Sequence, residues 1–82
     1  MKTLQALALI ETEARAAARS WPAFNSMHEG YAVILEEVDE LWEAIREKPR
    51  DLIEVRGEVI QVGAMVIRFL TDLCLEEAEA PR

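Results

Sequence analysis

The sequence predicts an all-α protein, a short helical bundle built around an antiparallel helix hairpin and completed by oligomerisation. Its 82 residues include only three glycines and three prolines, and 51% of them are hydrophobic. That composition is typical of a helical globular protein rather than a disordered chain. In the middle of the chain, apolar residues recur at the 3.6-residue period of one helix face. We therefore expect residues 1–82 to form a single domain, whose lone monomer would be marginally stable at this length.

The first helix is expected from about Lys2 to Arg19. Alanine is abundant there, and nothing breaks the segment before Trp21-Pro22. The second helix is expected from about Met27 to Glu47, because Ser26 followed by Glu29 is the pattern of a capping box. Its apolar stripe, which is predicted to face the core, consists of Tyr31, Ile34, Leu35, Val38, Leu41, Trp42 and Ile45.

The third helix is expected from about Leu52 to Leu73, after a similar start at Asp51 and Glu54. Apolar side chains cover more than half of its circumference, which is more than a three-helix monomer can bury. We therefore expect a homodimer or homotetramer in which this helix meets a partner subunit. The remaining arc is a polar stripe of Glu54, Glu58, Gln61, Met65, Arg68 and Asp72. The chain from Leu75 to Arg82 is predicted to be a frayed acidic tail.

Charge and cysteine content exclude several classes of protein. The net charge of −7, from 16 acidic and 9 basic residues, argues against a nucleic-acid groove or an anionic membrane surface as partner. No apolar run reaches the roughly 18 residues of a membrane span. The short apolar run after Lys2 is stopped by Glu11, so we do not interpret it as a signal peptide. Cys74 is alone, which fits a reducing cytoplasm and excludes an internal disulfide.

Two acidic clusters on the predicted hairpin are the strongest functional signal. The first is Glu36-Glu37-Val38-Asp39-Glu40, and the second is Glu58-Val59-Ile60-Gln61. If the chain turns back at Pro49, antiparallel pairing places Glu37 level with Gln61 and Glu40 level with Glu58, since both pairs of numbers sum to 98. Three carboxylates and a carboxamide would then meet at one level of the hairpin, and hard divalent cations prefer such oxygen ligands.

A solvated acidic face is the alternative interpretation of these residues. Two observations favour a shared cation. Glu37 lies at the edge of the apolar stripe, and Glu58 and Gln61 lie on a helix that is predicted to be mostly buried. An unpaired charge is costly in such surroundings.

The full spacing resembles the MazG-like all-α nucleotide pyrophosphohydrolases, whose pattern is EExxE, a gap, and then ExxD. The similarity covers roughly Met27 to Leu73. It implies hydrolysis of a nucleoside triphosphate to the monophosphate and pyrophosphate, with Mg²⁺ or Mn²⁺ as cofactor. Carried over to this chain, it makes Glu37, Glu40 and Glu58 metal ligands. Glu36 would bind a further metal or orient the attacking water.

One residue departs from that family pattern, because Gln61 stands where the family has its final Asp. A glutamine can bind Mg²⁺ through its carbonyl oxygen but adds no negative charge, so the resemblance implies a weaker ligand or an outer-shell role for Gln61. A catalytically silent helical interaction module is therefore the alternative function.

The substrate contacts are less defined by the sequence. Trp21 would either stack on the nucleobase, as loop aromatics of the MazG-like family can, or anchor its loop. His28 is either a surface residue of the second helix or a substrate contact. Arg68 would either touch phosphates or pair with a nearby carboxylate such as Asp72.

Overall fold

The chain folds into three helices in the computed structural model, which describes residues 1–75. They are α1 (Lys2–Ser20), α2 (Met27–Arg46) and α3 (Leu52–Phe69), and one π-helical turn (Leu70–Cys74) follows α3. The prediction of an all-α fold is confirmed, since no strand occurs in this part of the chain. Most of the predicted acidic tail lies outside the described residues.

The two predicted helix starts are confirmed in atomic detail. Ser26 Oγ accepts a hydrogen bond from the Glu29 amide at 3.1 Å, and Glu29 Oε1 accepts one from the Asn25 amide at 2.7 Å. Asp51 Oδ1 accepts the amides of Ile53 at 2.9 Å and Glu54 at 3.4 Å. These bonds satisfy amides that have no partner within the first turn of a helix.

The end of α3 differs from the prediction. We expected a continuous α-helix to Leu73, but the α-helical part ends at Phe69 and a π-helical turn continues to Cys74. In that turn the Leu75 amide donates to the Leu70 carbonyl at 2.9 Å, the i→i−5 bond of a π-helix. The wider turn carries Asp72 and Leu73.

Helix α3 is the centre of the fold. It packs against both α1 and α2, which make little contact with each other. Two glycines allow close approach: a Cβ on Gly30 of α2 would lie 2.6 Å from the Phe69 ring, and a Cβ on Gly63 of α3 would lie 2.9 Å from Ile10 of α1. The overall dimensions of 49 × 33 × 18 Å describe a flat, open arrangement rather than a closed bundle.

The core of a single chain is small. Within residues 1–75 the buried hydrophobic residues are Ala14, Ala17, Phe24, Ala44, Ala64 and Met65, so most of them are alanines. The predicted α2 stripe is only partly right. Ile34, Leu41 and Ile45 are half-buried, but Trp42 is 56% exposed, so the expectation that it packs in the core is wrong for a single chain.

Both faces of α3 are partly buried, because Ala64 of the apolar arc is completely covered and the C-terminal part of the polar stripe is buried as well. Met65 and Arg68 of its polar stripe are buried, whereas Ile53, Val59 and Val66 of its apolar arc are exposed. This part of the polar stripe therefore faces the rest of the chain. Within residues 1–75, none of the helices combines the length and the apolar character that a membrane crossing requires.

Replacing Gly30 by alanine should destabilise the protein. Alanine favours a helix interior by about 1 kcal/mol over glycine, but here its methyl group would meet the Phe69 ring at 2.6 Å. Overpacking of this kind costs about 1–3 kcal/mol. We expect Gly30→Ala to lower the free energy of unfolding measured with urea. Gly57→Ala is the matched control, because nothing lies within 4 Å of its added Cβ, and it should raise stability by about 0.5–1 kcal/mol. A Gly30→Ala variant as stable as Gly57→Ala would contradict this packing.

Candidate metal centre and adjoining pocket

Three carboxylates from two helices meet at one point. Glu37 and Glu40 of α2 and Glu58 of α3 each offer an oxygen, and the three oxygens lie within 4.8 Å of one another. We call these residues the acidic cluster. Glu37 and Glu58 are half-buried and Glu40 is exposed. The antiparallel pairing predicted from the sequence, in which the numbers of paired residues sum to 98, places Glu40 level with Glu58.

The electrostatics of the acidic cluster are unfavourable for three charged carboxylates. Burial, together with Glu40, Glu58 and Glu36, raises the pKa of Glu37 to about 7. Burial and the neighbouring Glu40 also raise the pKa of Glu58. Neither of the ion pairs found within residues 1–75 involves the cluster. A proton or a cation would remove the repulsion.

One oxygen of the cluster is buried. Glu58 Oε2 is inaccessible to solvent and has no hydrogen-bond partner among residues 1–75. Buried carboxylate oxygens are normally paired, because leaving one unpaired costs the desolvation energy of the group. A carboxyl proton within the cluster, favoured by the raised pKa values of Glu37 and Glu58, or a bound cation would satisfy this atom.

The donor set fits a hard divalent cation. Two oxygens bound at about 2.0–2.6 Å on opposite sides of one ion lie roughly 4–5 Å apart, and the cluster oxygens lie within 4.8 Å. Carboxylates without thiolates or imidazoles are the ligands of Mg²⁺, Mn²⁺ or Ca²⁺ rather than of Zn²⁺ or Cu²⁺. The residues present are therefore able to hold such an ion.

A pocket of about 480 Å³ adjoins the acidic cluster. The end of α1, the loop of residues 21–25, the first half of α2 and the polar stripe of α3 form its walls. Glu37 belongs both to the cluster and to the pocket wall, and Glu36 and Gln61 line the pocket beside it. Glu36, the neighbour of Glu37 in the first acidic motif, and Gln61, which was predicted to lie level with Glu37, therefore both lie near it.

Of the three predicted substrate contacts, two line the pocket and one does not. Trp21 and Arg68 line the pocket, and Trp21 is 66% exposed. His28 lies exposed in the first turn of α2 and is not part of the pocket lining. Met65, which the sequence placed on the polar stripe, is buried in the pocket wall.

Arg68 is buried and makes its contacts within the chain. Its Nη2 donates to the Pro22 carbonyl at 2.7 Å, and its guanidinium lies 4.5 Å from the centre of the Phe24 ring. The predicted contact with Asp72 exists at 3.9 Å, and Asp72 Oδ2 also accepts the Phe24 amide at 3.1 Å. Sequence reasoning did not find that Arg68 and Asp72 hold the loop through hydrogen bonds to Pro22 and Phe24. No local signal connects residues 46 and 48 positions apart.

Comparison with known proteins identifies no relative of this chain. No family model matches the chain, and no curated protein or solved structure matches it either. The resemblance to MazG-like enzymes stays a hypothesis that rests on residues 36–61. Any proposal of function depends on the acidic cluster and the pocket.

The acidic cluster should make the metal-free protein less stable as pH rises. The pKa of Glu37 is about 7 in the folded chain, against an ordinary value of 4.5, so the folded state binds this proton more tightly than the unfolded state does. The stabilisation is complete below about pH 4.5 and is lost as pH rises to about 7. Allowing for solvent screening, we expect a loss of about 1–2 kcal/mol.

Urea unfolding in the presence of a chelator at pH 5 and pH 8 measures this effect. Glu37→Gln should reduce the difference between the two pH values, because glutamine does not titrate. Asp39→Asn, which neutralises an exposed carboxylate of the same helix, is the control and should leave the difference close to that of the wild type. Equal pH dependence in Glu37→Gln and the wild type would show that Glu37 is not the responsible group.

Proposed function

We propose that this protein is a Mg²⁺-dependent nucleoside triphosphate pyrophosphohydrolase of the MazG-like type. The observation that carries the proposal is the acidic cluster, with its unpartnered Glu58 oxygen, next to a pocket of about 480 Å³. That volume is in the range of small-molecule pockets. The cluster supplies the ligands for a cation, and the pocket supplies room for the nucleoside.

Charge gives the reason for a cation between protein and substrate. Within the described part of the chain, the pocket wall contains Glu13, Glu29, Glu36 and Glu37, whereas its one basic residue, Arg68, lies near Asp72. A triphosphate would be repelled by such a wall. A divalent cation held by the acidic cluster removes this repulsion, since it binds carboxylates and phosphates together.

The residues have distinct roles in this proposal. Glu37, Glu40 and Glu58 hold Mg²⁺, or Mn²⁺ in its place, and the carbonyl oxygen of Gln61 is a weaker ligand or an outer-shell group. The bound cation would neutralise phosphate charge and lower the pKa of a water molecule. Glu36, exposed on the pocket wall, either orients the attacking water or binds a further ion. The water oxygen would bond to one of the two phosphorus atoms of the α–β bridge and lose a proton to solvent as the bridging bond to that phosphorus breaks, which gives a nucleoside monophosphate and pyrophosphate.

Trp21 is the proposed contact of the nucleobase. Its side chain is largely exposed at the pocket wall, where a flat ring could stack on it. His28 is the weaker candidate, because it lies outside the lining. A second function, a catalytically silent helical interaction module, is favoured by one observation: Gln61 removes a negative charge from the donor set.

We also propose that α2 and α3 form an antiparallel hairpin and that two or four copies assemble. Two contacts support the hairpin, because they run in opposite order along the two helices: Gly30, early in α2, approaches Phe69 at the end of α3, whereas Glu40, late in α2, meets Glu58, early in α3. The exposed apolar arc of α3 supports assembly, since exposed apolar patches of this kind are typical of interfaces between subunits.

Mg²⁺ should raise the melting temperature of the wild-type protein. A ligand that binds only the folded state stabilises it by mass action, by about 2.7 kcal/mol at a hundredfold excess over Kd. Glu40→Gln should abolish the shift, and Gln61→Asp should enlarge it at sub-saturating Mg²⁺ by adding a charged ligand. Differential scanning fluorimetry with Mg²⁺ or with chelator makes the measurement.

Release of pyrophosphate from the common ribo- and deoxyribonucleoside triphosphates then tests the reaction itself.

Glu43→Gln is the matched control, because Glu43 is an exposed carboxylate of α2 outside the acidic cluster. Its metal response should equal that of the wild type. Identical melting with Mg²⁺ and with chelator would reject the metal centre. A metal response that Glu40→Gln abolishes, without release of pyrophosphate from any nucleotide, would favour the silent module.

Val66→Glu should dissociate the assembly. Val66 is 44% exposed in a single chain, so a charge there leaves the helices of one chain intact but disfavours burial against a second copy. Sedimentation should give at least twice the 9.3 kDa chain mass for the wild type and a smaller mass for the variant. Arg56→Glu, at another exposed position of α3, is the control and should keep the wild-type mass. A folded wild-type monomer at micromolar concentration would contradict the proposal.

A further inference from the structure

We propose that Arg68 and Asp72 are positioning residues, which fix the loop of residues 21–25 and through it hold Trp21 at the wall of the pocket. This inference rests on the proposed function, because it concerns the part of the site that would contact the nucleoside. Neither residue acts on phosphates in this proposal. Their effect on a substrate is transmitted by the loop.

The loop is held at two points, one on each side of Ala23. The Pro22 carbonyl accepts a hydrogen bond from Arg68 Nη2 at 2.7 Å. The Phe24 amide donates to Asp72 Oδ2 at 3.1 Å. Both bonds join the loop to the end of α3, across 46 and 48 positions of sequence. We call this set of two bonds the loop anchor.

The side chains around the loop anchor are buried, which makes it stronger than a surface contact. Arg68 is 5% exposed and Phe24 is 8% exposed. The guanidinium lies over the Phe24 ring at 4.5 Å, within the range of a cation–π contact. Asp72 lies 3.9 Å from Arg68 and balances its charge. Removing Asp72 would leave the buried Arg68 guanidinium without this counter-charge.

These contacts explain why Arg68 does not reach a phosphate itself. Its Nη2 already donates to Pro22, and its Nη1 lies 3.8 Å from Met65 Sδ. Nη2 carries two N–H groups, of which the Pro22 carbonyl takes one, and Asp72 Oδ2 lies 3.9 Å from the same atom and neutralises the charge that a phosphate would meet. The position of Trp21, directly before Pro22, makes the loop the shortest connection between Arg68 and a bound base.

Amide hydrogen exchange measured by NMR tests the loop anchor without any substrate. Asp72→Ala removes the acceptor of the Phe24 amide, so we expect that amide to exchange about ten- to a hundredfold faster. Asp72→Asn keeps an oxygen acceptor at the same place and should retain most of the protection. Gly63→Ala is the control for general loss of stability, because it strains the contact with Ile10 of α1 and touches neither bond.

Kinetics with nucleoside triphosphates then test the effect on substrate. Asp72→Ala should raise KM about tenfold or more with kcat within about twofold, since the loss of loop positioning weakens base binding and leaves the acidic cluster in place. Asp72→Asn should recover most of the wild-type KM. The Mg²⁺-induced shift in melting temperature should be the same in all three proteins.

The outcomes separate this inference from the proposed function. Unchanged exchange of the Phe24 amide in Asp72→Ala would overturn the loop anchor, and equally fast exchange in Asp72→Asn would overturn the hydrogen bond as its cause. Faster exchange with an unchanged KM would show that the loop does not position substrate and would reject the proposal. A wild-type protein that releases no pyrophosphate would reject the proposed function, and with it the substrate role of the loop. The exchange data would still decide whether the loop anchor exists.

Discussion

The buried guanidinium of Arg68 is the interaction on which the arrangement of the three helices depends. It sits at the end of α3 and reaches the Pro22 carbonyl and the Phe24 ring in the loop between α1 and α2. Because α1 and α2 make little contact with each other, the loop and α3 determine how the two outer helices are placed. A buried arginine with an imperfect ion pair is weak support for stability by itself. Its contribution here is to fix one geometry, since its planar donors meet a carbonyl and an aromatic face at the same time.

Helix α3 has a polar stripe and an apolar arc, and a single chain cannot bury the apolar arc fully. Its polar stripe faces the pocket and the loop, where Met65 and Arg68 are buried, while Ile53 is 82% exposed on the apolar arc. The alanine-rich contacts with α1 and α2 bring backbones close but bury little apolar area. A helix with this distribution is more favourable in an assembly than alone. Homo-oligomerisation would cover the exposed part of the apolar arc, and it is the completion of the bundle that we propose.

The acidic cluster is unfavourable for stability, and that is the basis of the functional proposal. Glu37, Glu40 and Glu58 repel one another, and burial raises the pKa values of Glu37 and Glu58 further. A fold selected for stability alone would place neutral residues there. Ligands for a hard cation have to be arranged in this way before the cation binds, so the repulsion becomes attraction once a divalent ion is present. Gln61, beside Glu37 in the pocket wall, reduces that repulsion and would reduce metal affinity for the same reason.

The sequence by itself determined the local features of this protein. The helix starts at Ser26 and Asp51 follow from side chains that cap the adjacent amides, and the spacing around Pro49 was enough to predict that Glu40 and Glu58 would meet. Such features depend on residues that are close in sequence or related by one turn of the chain. Only the tertiary structure decided which face of α3 is buried, because helical periodicity shows that two faces exist but not what covers each one. It likewise decided the role of Asp72, whose bond to the Phe24 amide joins residues 48 positions apart and depends on the packing of the whole chain.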